Sequence, residues 1–188
     1  MNINKEFHPI IIFMTTMMGN VTISVCAADK LPLTVDAIVE EQDTNLILGT
    51  YPGIRDTKES YPALVRKMER QKPLLPGQVI VKNTIPLRFT AVLYDIEQTP
   101  VCTEELIADV LNELLHKFNE YRLKSVAMPL LGSTHGKVKV SGFIKLLQDT
   151  LNTRNPVYPA EIMLIVPPDN FDDIKDIIEY VINTSKPA

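Results

Sequence analysis

The amino-acid sequence predicts an α/β fold of three layers, an α/β/α sandwich in which helices cover both faces of a mixed central sheet. Apolar segments of strand length alternate with amphipathic segments of helix length along most of its 188 residues. A chain of this length can bury one full hydrophobic core, and its 45% hydrophobic and 22% charged residues are typical of soluble globular proteins. We therefore interpret residues 1–188 as a single domain.

The beginning of the chain fits two interpretations. Residues 10–18 are apolar enough for a secretory signal peptide, but polar residues dilute the segment and few positive charges precede it. The same residues fit two strands joined by Gly19 and Asn20, which suit a tight hairpin turn. We favour the second interpretation, with residues 1–20 forming an N-terminal strand and hairpin extension.

In the middle of the chain, short β-branched and apolar runs indicate three strands, at residues 35–39, 78–81 and 89–94. A modest helical pattern lies between the first and the second of them, over residues 57–71. Proline and glycine at 73–77 separate this helix from the strands that follow.

The strongest helical pattern begins after Thr103, which can cap it, and places Glu104 and Glu105 in its positive first turn. Its wide apolar face predicts packing against the sheet and consists of Leu106, Ile107, Val110, Leu111, Leu114, Leu115, Phe118 and Tyr121. Two strands and two helices follow in alternation. The strands are predicted at 125–128 and 161–166, and the last helix is capped by Asp169 or Asn170. The helix between the two strands has a buried stripe of Val140, Phe143, Ile144, Leu147 and Leu151.

The strand at 125–128 leads into a loop that holds Gly132 and Gly136 before the next helix begins. Small residues let backbone N–H groups approach an anion closely, and a helix N-terminus after the loop adds unpaired donors. This arrangement is typical of a loop that holds phosphate, but two glycines also occur in ordinary strand-to-helix turns. Both interpretations remain open on this segment alone.

Three carboxylates follow the strand at 35–39, on Glu40, Glu41 and Asp43. Carboxylates at a strand end can bind a hard cation such as Mg²⁺ or act as a general base. Alternation along a strand points Glu40 and Glu41 to opposite faces, however, so we expect a solvated acidic turn and no metal site.

Histidine and cysteine offer little further chemistry. His135 lies in the candidate phosphate loop and could act as a general acid or base, but no recognisable motif ties a nucleophile to it. We expect His8 and His116 to be solvated. Cys26 and Cys102 are too few to build a metal array with the scattered histidines, so we expect no metal, no cofactor and a buried structural thiol at Cys26.

Charge and hydropathy narrow the classes of partner. The formal net charge of -4 is mild, and no cluster of lysine and arginine is present that could neutralise a nucleic-acid backbone. No apolar run is long enough to span a membrane. We therefore expect a cytoplasmic protein that binds neither long nucleic acid nor a membrane.

Three segments stand in a recognisable order: Asp29 ahead of the run at 33–39, the Pro-Gly-Gln-Val-Ile-Val run at 76–81, and residues 124–136. Together they resemble the macro domain family, whose members bind ADP-ribose and related nucleotides and in some cases hydrolyse ADP-ribosyl bonds. The last segment resembles the family's second phosphate loop. The resemblance spans most of the chain from Val21 onward and implies a macro-domain-like fold.

The resemblance also implies roles for individual residues. Asp29 would accept a hydrogen bond from the adenine amino group, and the loop from Gly132 to Gly136 would hold the diphosphate and the distal ribose. Phe171 or Asn170 would border the adenine. The full set of implied ligand-binding residues is Asp29, Gly49, Gly53, Leu131, Gly132, Ser133, Thr134, His135, Gly136 and Phe171.

The sequence departs from the family's pattern after Val39, where many members have an asparagine-containing turn and a run of glycines. Here the acidic segment 40–43 would place negative charge near an anionic diphosphate, and like-charge repulsion would lower affinity. Gly49 and Gly53 are what remains of the glycine run, so fewer backbone donors can approach a ligand. Thr134 stands where a glycine is usual, and we expect strain there because that position needs a positive φ.

Three functions are consistent with these observations. The first is binding of ADP-ribose or a related nucleotide diphosphate, free or on an ADP-ribosylated protein, by a domain with a degenerate first phosphate loop. The alternative is a non-catalytic interaction or regulatory module that has kept the fold and lost the ligand site. The third is hydrolysis of ADP-ribosyl bonds by a water that Asp43 or His135 activates.

Overall fold

The computed structural model describes residues 12–27, 34–46, 48, 72–95, 97–166 and 171–184. Within these ranges the chain forms seven strands and three helices. The strands are β1 (Ile12–Met18), β2 (Val21–Ala27), β3 (Ala37–Asp43), β4 (Val79–Lys82), β5 (Leu87–Tyr94), β6 (Ser125–Pro129) and β7 (Glu161–Val166). The helices are α1 (Glu104–Glu120), α2 (Val140–Arg154) and α3 (Phe171–Thr184). The predicted helix over 57–71 lies outside the described residues.

The seven strands form one sheet in the order β1-β2-β7-β6-β3-β5-β4. The five central strands are parallel to one another, whereas β1 and β4 pair antiparallel at the two outer edges. This topology confirms the predicted mixed sheet. It also brings the carboxyl ends of β2, β7, β6, β3 and β5 together on one side, which we call the carboxyl edge.

The sheet divides between β3 and β6 toward the carboxyl edge. The ladder between these two strands ends at the pair of Ile38 and Ala127, whereas β3 stays paired with β5 as far as Asp43. At the opposite edge the strands are held together by Asp36, whose carboxylate accepts a hydrogen bond from the Lys124 N–H at 2.6 Å. A side chain on the far part of β3 can therefore reach the chain that follows β6.

The hairpin predicted at the start of the chain is confirmed. β1 and β2 are antiparallel neighbours, and Met18 pairs with Val21 across the turn formed by Gly19 and Asn20. Gly19 has a φ of 58°, a left-handed conformation that glycine adopts without steric cost. Within the described ranges, no helix is both long enough and apolar enough to cross a membrane.

The start and the buried face of α1 agree with the prediction. The Thr103 hydroxyl caps the helix by accepting a hydrogen bond from the Leu106 N–H at 3.2 Å. Phe118 packs edge to face on Phe89 of β5, with ring centroids 5.2 Å apart. The buried residues of the helix are Ile107, Val110, Leu111, Leu114, Leu115 and Phe118.

The assignment of Tyr121 to that buried face is wrong. The helix ends at Glu120, and the Tyr121 side chain is 43% exposed. The chain leaves the helical path immediately afterwards, because Arg122 adopts a left-handed conformation with a φ of 52°. Tyr121 still contacts Phe89 edge to face at a centroid distance of 5.9 Å, but from the solvent side of the core.

The prediction of a solvated acidic turn after Val39 is also wrong. β3 continues through these residues to Asp43, and the exposed fractions are 8% for Glu40, 6% for Glu41 and 0% for Asp43. Each carboxylate has a partner inside the protein, which compensates for its loss of hydration. Glu40 forms an ion pair with Arg88 on the neighbouring strand β5.

The remaining elements agree with the sequence-based expectations. The strands predicted at 78–81, 89–94, 125–128 and 161–166 correspond to β4, β5, β6 and β7. The apolar stripe of α2 is buried except at Val140, which is half-buried, and the thiol of Cys26 is buried in β2 as expected. Asp169 and Asn170, the predicted caps of α3, lie outside the described residues.

Candidate functional site

The carboxyl edge brings together most of the residues that the sequence singled out. β3 and β5 end side by side, with Asp43 opposite Tyr94, and β6 ends at Pro129. The chain then forms the connection to α2, residues 130–139, which we call the β6–α2 loop. In open α/β sheets ligands bind beyond the carboxyl ends of the strands, so this edge is the candidate site.

Two glycines allow the β6–α2 loop to lie flat on the start of α1. Gly132 has a φ of 76°, and a Cβ atom there would come within 2.5 Å of the Ile107 Cδ1 atom. A Cβ atom on Gly136 would come within 2.7 Å of the Cys102 Cβ atom and 2.8 Å of the Gly132 carbonyl oxygen. Both positions therefore require glycine for steric reasons of this fold.

The loop makes its own hydrogen bonds around the Gly132 carbonyl. That oxygen accepts from the N–H groups of Gly136 at 3.1 Å and Val138 at 3.2 Å. Ser133 donates to the Leu130 carbonyl through both its N–H, at 3.1 Å, and its hydroxyl, at 2.6 Å. The hydrogen bonds found in the described part of the chain include no acceptor for the N–H of Thr134, a residue that is exposed to solvent.

The strain predicted at Thr134 is absent, so that expectation is wrong. The left-handed conformations of the loop fall instead on Gly132 and on Lys137, whose φ is 57°. Thr134 lies between them with an ordinary backbone, and its side chain is exposed. The loop thus accommodates a β-branched residue because its tight bends lie on either side of it.

Glu41 anchors the loop from inside the protein. Its carboxylate accepts a hydrogen bond from the Gly132 N–H at 3.0 Å, across 91 residues of sequence. Burial raises the pKa of Glu41, and the Gly132 N–H and the Tyr94 hydroxyl partly oppose this shift by stabilising the carboxylate. We expected Glu41 to lie in a solvated acidic turn, but its partner is the backbone N–H of Gly132 in the candidate phosphate loop.

Tyr94 is a residue of the site that the sequence interpretation missed. Its hydroxyl is buried and makes no well-formed hydrogen bond within the described residues, yet the Glu41 carboxylate and the His135 backbone N–H both lie near enough to affect it. Burial, followed by the negative charge of Glu41, raises the pKa of Tyr94, while the His135 N–H acts in the opposite direction. The phenol therefore stays protonated at physiological pH. The sequence did offer one indication of this role, because Tyr94 is the last residue of the strand predicted at 89–94.

The two other reactive side chains near the loop are His135 and Cys102. The His135 ring packs edge to face on Tyr94 with centroids 5.7 Å apart, and its side chain is exposed to solvent. Burial and the charge of Glu41 raise the pKa of the Cys102 thiol to about 11. A thiol in that state is a poor nucleophile, so Cys102 packs against the loop glycines as an apolar residue.

Asp43 closes the turn that follows β3. Its carboxylate accepts hydrogen bonds from the N–H groups of Asn45, at 2.6 Å, and Leu48, at 2.5 Å, while the side chain is fully buried. Both carboxylate oxygens are thus used by the backbone. A catalytic role for Asp43 remains a prediction. Its two hydrogen bonds show that it also stabilises the turn after β3.

Replacing Asp43 with alanine should lower the free energy of unfolding by about 1–3 kcal/mol, because two backbone donors lose a buried acceptor. Asp95→Ala is the matched control. Asp95 accepts from the Glu97 N–H at 3.1 Å in a similar turn, but it is only half-buried, so water can replace it. Urea denaturation of both variants measures the difference. Equal losses in the two variants would contradict the structural role.

The remaining predicted site residues are placed as follows. Phe171 is the first residue of α3, after the carboxyl end of β7, and it is 9% exposed within the hydrophobic core. Leu131 belongs to the loop and its side chain is fully buried, whereas His116 is exposed on α1. Asp29, Gly49, Gly53 and Asn170 lie outside the described residues. No group of histidine, cysteine, aspartate or glutamate side chains that could hold a metal ion occurs in the ranges that the structure describes.

The sequence matches no protein-family model and none of the curated proteins. The fold, in contrast, is similar to that of the Oceanobacillus iheyensis macrodomain with ADP, with a TM-score of 0.67 over 91% of this chain and 97% of that chain at 17% identity. The Thermus aquaticus DarG macrodomain gives a TM-score of 0.55 over 77% of this chain and 99% of that chain at 21% identity. A Trypanosoma brucei macrodomain in complex with ADP gives a TM-score of 0.59 over 85% of this chain and 68% of that chain, at 12% identity.

These similarities establish the fold. The chain has the macrodomain fold, with a seven-stranded mixed sheet and helices packed on it, and the predicted α/β fold class is confirmed. Sequence identities of 12–21% establish neither the ligand nor the roles of single residues, so both are argued from the geometry of the site.

Proposed function

We propose that this protein binds ADP-ribose or a related nucleotide diphosphate at the carboxyl edge of its sheet. The observation that carries the proposal is the β6–α2 loop, which two glycines hold flat at this edge with the Thr134 N–H free of any acceptor in the described chain. Proteins with the same fold have been solved with ADP and with ADPR. The loop offers the kind of backbone donor that such an anion requires.

The charge around the loop supports the same ligand class. Lys137 and Lys139 are exposed on the loop, and the exposed His135 precedes them. These side chains can attract a phosphate group from solvent, whereas the backbone N–H groups can define its position. The adenine end of the ligand would lie toward Asp29 and Phe171, as the macro domain resemblance implies.

Isothermal titration calorimetry with ADP-ribose, ADP, AMP and inorganic pyrophosphate tests the proposal. We expect ADP-ribose and ADP to bind, and pyrophosphate to bind weakly, because the nucleoside contributes contacts that a bare anion lacks. ADP-ribose should also raise the melting temperature, since a ligand specific for the folded state stabilises it. Absence of heat and of any thermal shift at millimolar ADP-ribose would refute the proposal.

A second candidate function is an interaction or regulatory module without a ligand site. The bond from Gly132 to Glu41 favours it, because a carboxylate of the chain already uses one donor of the loop. Folded protein that gives no heat with any nucleotide of the panel would support this candidate. Hydrolysis ranks third, since the carboxylates of Glu41 and Asp43 are both buried and bound to backbone N–H groups.

A further inference from the structure

We propose that Glu41 is a positioning residue that couples ligand binding at the β6–α2 loop to the uptake of one proton. The inference rests on the proposed function, and it names how that site is regulated. Its basis is a juxtaposition: the loop that would receive an anionic diphosphate on its outer side already holds a carboxylate of the chain on its inner side.

A bound diphosphate would place a second anion on a short loop that already holds the Glu41 carboxylate. The Glu41 carboxylate is bound to the N–H of Gly132, and the free N–H of Thr134 lies two residues further on. A diphosphate bound to the outer side of residues 132–136 would therefore be separated from Glu41 by little more than the loop backbone. Like charges at such a separation repel each other strongly where water is excluded.

Among the residues that the structure describes, the groups found to interact with the Glu41 carboxylate carry no positive charge that would relieve this repulsion. Tyr94 from β5, Cys102 from the segment before α1 and the Gly132 N–H from the loop are the groups that interact with it, and all are neutral. His135 approaches the cluster through its contact with the Tyr94 ring. In the described part of the chain, no lysine or arginine forms an ion pair with Glu41, whereas Glu40, buried to a similar extent, pairs with Arg88.

The direction of the pH dependence follows from these contacts. Burial already raises the pKa of Glu41, and a bound anion disfavours the charged form further, so the complex holds more protons than the free protein. Binding is then tightest when Glu41 is protonated in the free protein. Affinity falls as the pH rises through the interval between the pKa of the free protein and that of the complex.

Calorimetric titration with ADP-ribose from about pH 5.5 to about pH 8.5 tests the coupling, because both phosphates of this ligand are diesters and do not titrate in that range. We expect the affinity of the unmodified protein to fall with pH by up to about tenfold per unit, the limit for one proton. Glu41→Gln keeps an acceptor for the Gly132 N–H without the charge. Its affinity should vary less with pH than that of the unmodified protein and be about tenfold higher at the alkaline end.

His135→Gln is the matched control, because protonation of an exposed loop histidine would also favour an anion at low pH. The pH dependence should persist in His135→Gln, whatever its absolute affinity. A dependence that disappears in His135→Gln and persists in Glu41→Gln would overturn the inference. So would affinity that does not change with pH in the unmodified protein.

A second measurement avoids reliance on the folding of Glu41→Gln. Titrations of the unmodified protein and of His135→Gln across the same pH range, each in two buffers with different ionisation enthalpies, give the number of protons taken up on binding at each pH. We expect a positive number over part of this range in both proteins, and a value of zero throughout the range in either would contradict the role of Glu41. Binding without proton uptake leaves the proposed function intact, whereas absence of binding at every pH refutes the proposed function and this inference together.

Discussion

Gly136→Ala should lower the free energy of unfolding by about 2–3 kcal/mol and weaken ADP-ribose binding by more than about tenfold. The new Cβ atom would meet the Cys102 Cβ atom at 2.7 Å and the Gly132 carbonyl oxygen at 2.8 Å. Neither neighbour can rotate away, because one is fixed to the backbone and the other belongs to it. The loop must therefore move away from Cys102, in the segment before α1, and from its own Gly132 carbonyl, which also breaks the hydrogen bond from the Gly136 N–H to that carbonyl.

Gly142→Ala provides the matched control, six residues further along the chain. There the new Cβ atom would meet the Glu104 Oε1 atom at 2.9 Å, the free end of an exposed side chain that can move aside. Gly142 lies in the first turns of α2, where alanine is the better helix former, so we expect stability to stay equal or rise by up to about 1 kcal/mol. Urea denaturation and calorimetry of both variants give the comparison. Equal losses would show that the contacts of Gly136 are unimportant.

Phe118→Ala should lower the free energy of unfolding by about 3–5 kcal/mol, because it opens a cavity between α1 and the sheet. The Phe118 side chain is almost completely buried and packs edge to face on Phe89. Tyr121→Ala removes a second ring that contacts Phe89 in the same edge-to-face geometry, but from a side chain that is 43% exposed.

The loss for Tyr121→Ala should stay within about 1 kcal/mol, since little apolar surface returns to water. Thermal and urea denaturation of the two variants therefore separate burial from ring geometry. Losses of similar size would mean that the contact with Phe89 matters more than the cavity, contrary to our expectation.

Features defined by neighbouring residues could be predicted from the sequence. Thr103 and the two glutamates after it mark the start of α1, and Gly19 with Asn20 marks the hairpin, because caps and tight turns depend on a few adjacent residues. The site at the carboxyl edge followed from the order of strands and helices. The glycines of the β6–α2 loop were identified for the same local reason.

Features that depend on distant partners could not be predicted. We expected a solvated acidic turn after Val39 because alternation along a strand would point Glu40 and Glu41 to opposite faces. Both of these acids have remote partners: Arg88 lies 48 residues from Glu40, and Gly132 lies 91 residues from Glu41. Tyr94 was missed for the same reason, because its significance arises from the neighbours that the fold supplies.

The short ladder between β3 and β6 has a mechanical consequence. It leaves two blocks of strands, β4-β5-β3 and β6-β7-β2-β1, joined in register at only two residue pairs near their amino ends. Rotation of one block against the other would pivot about these pairs and change the spacing most at the far end, where the bond between Glu41 and Gly132 spans the gap. The hydrogen bond between Glu41 and Gly132 therefore lies where it opposes separation of the two blocks most directly.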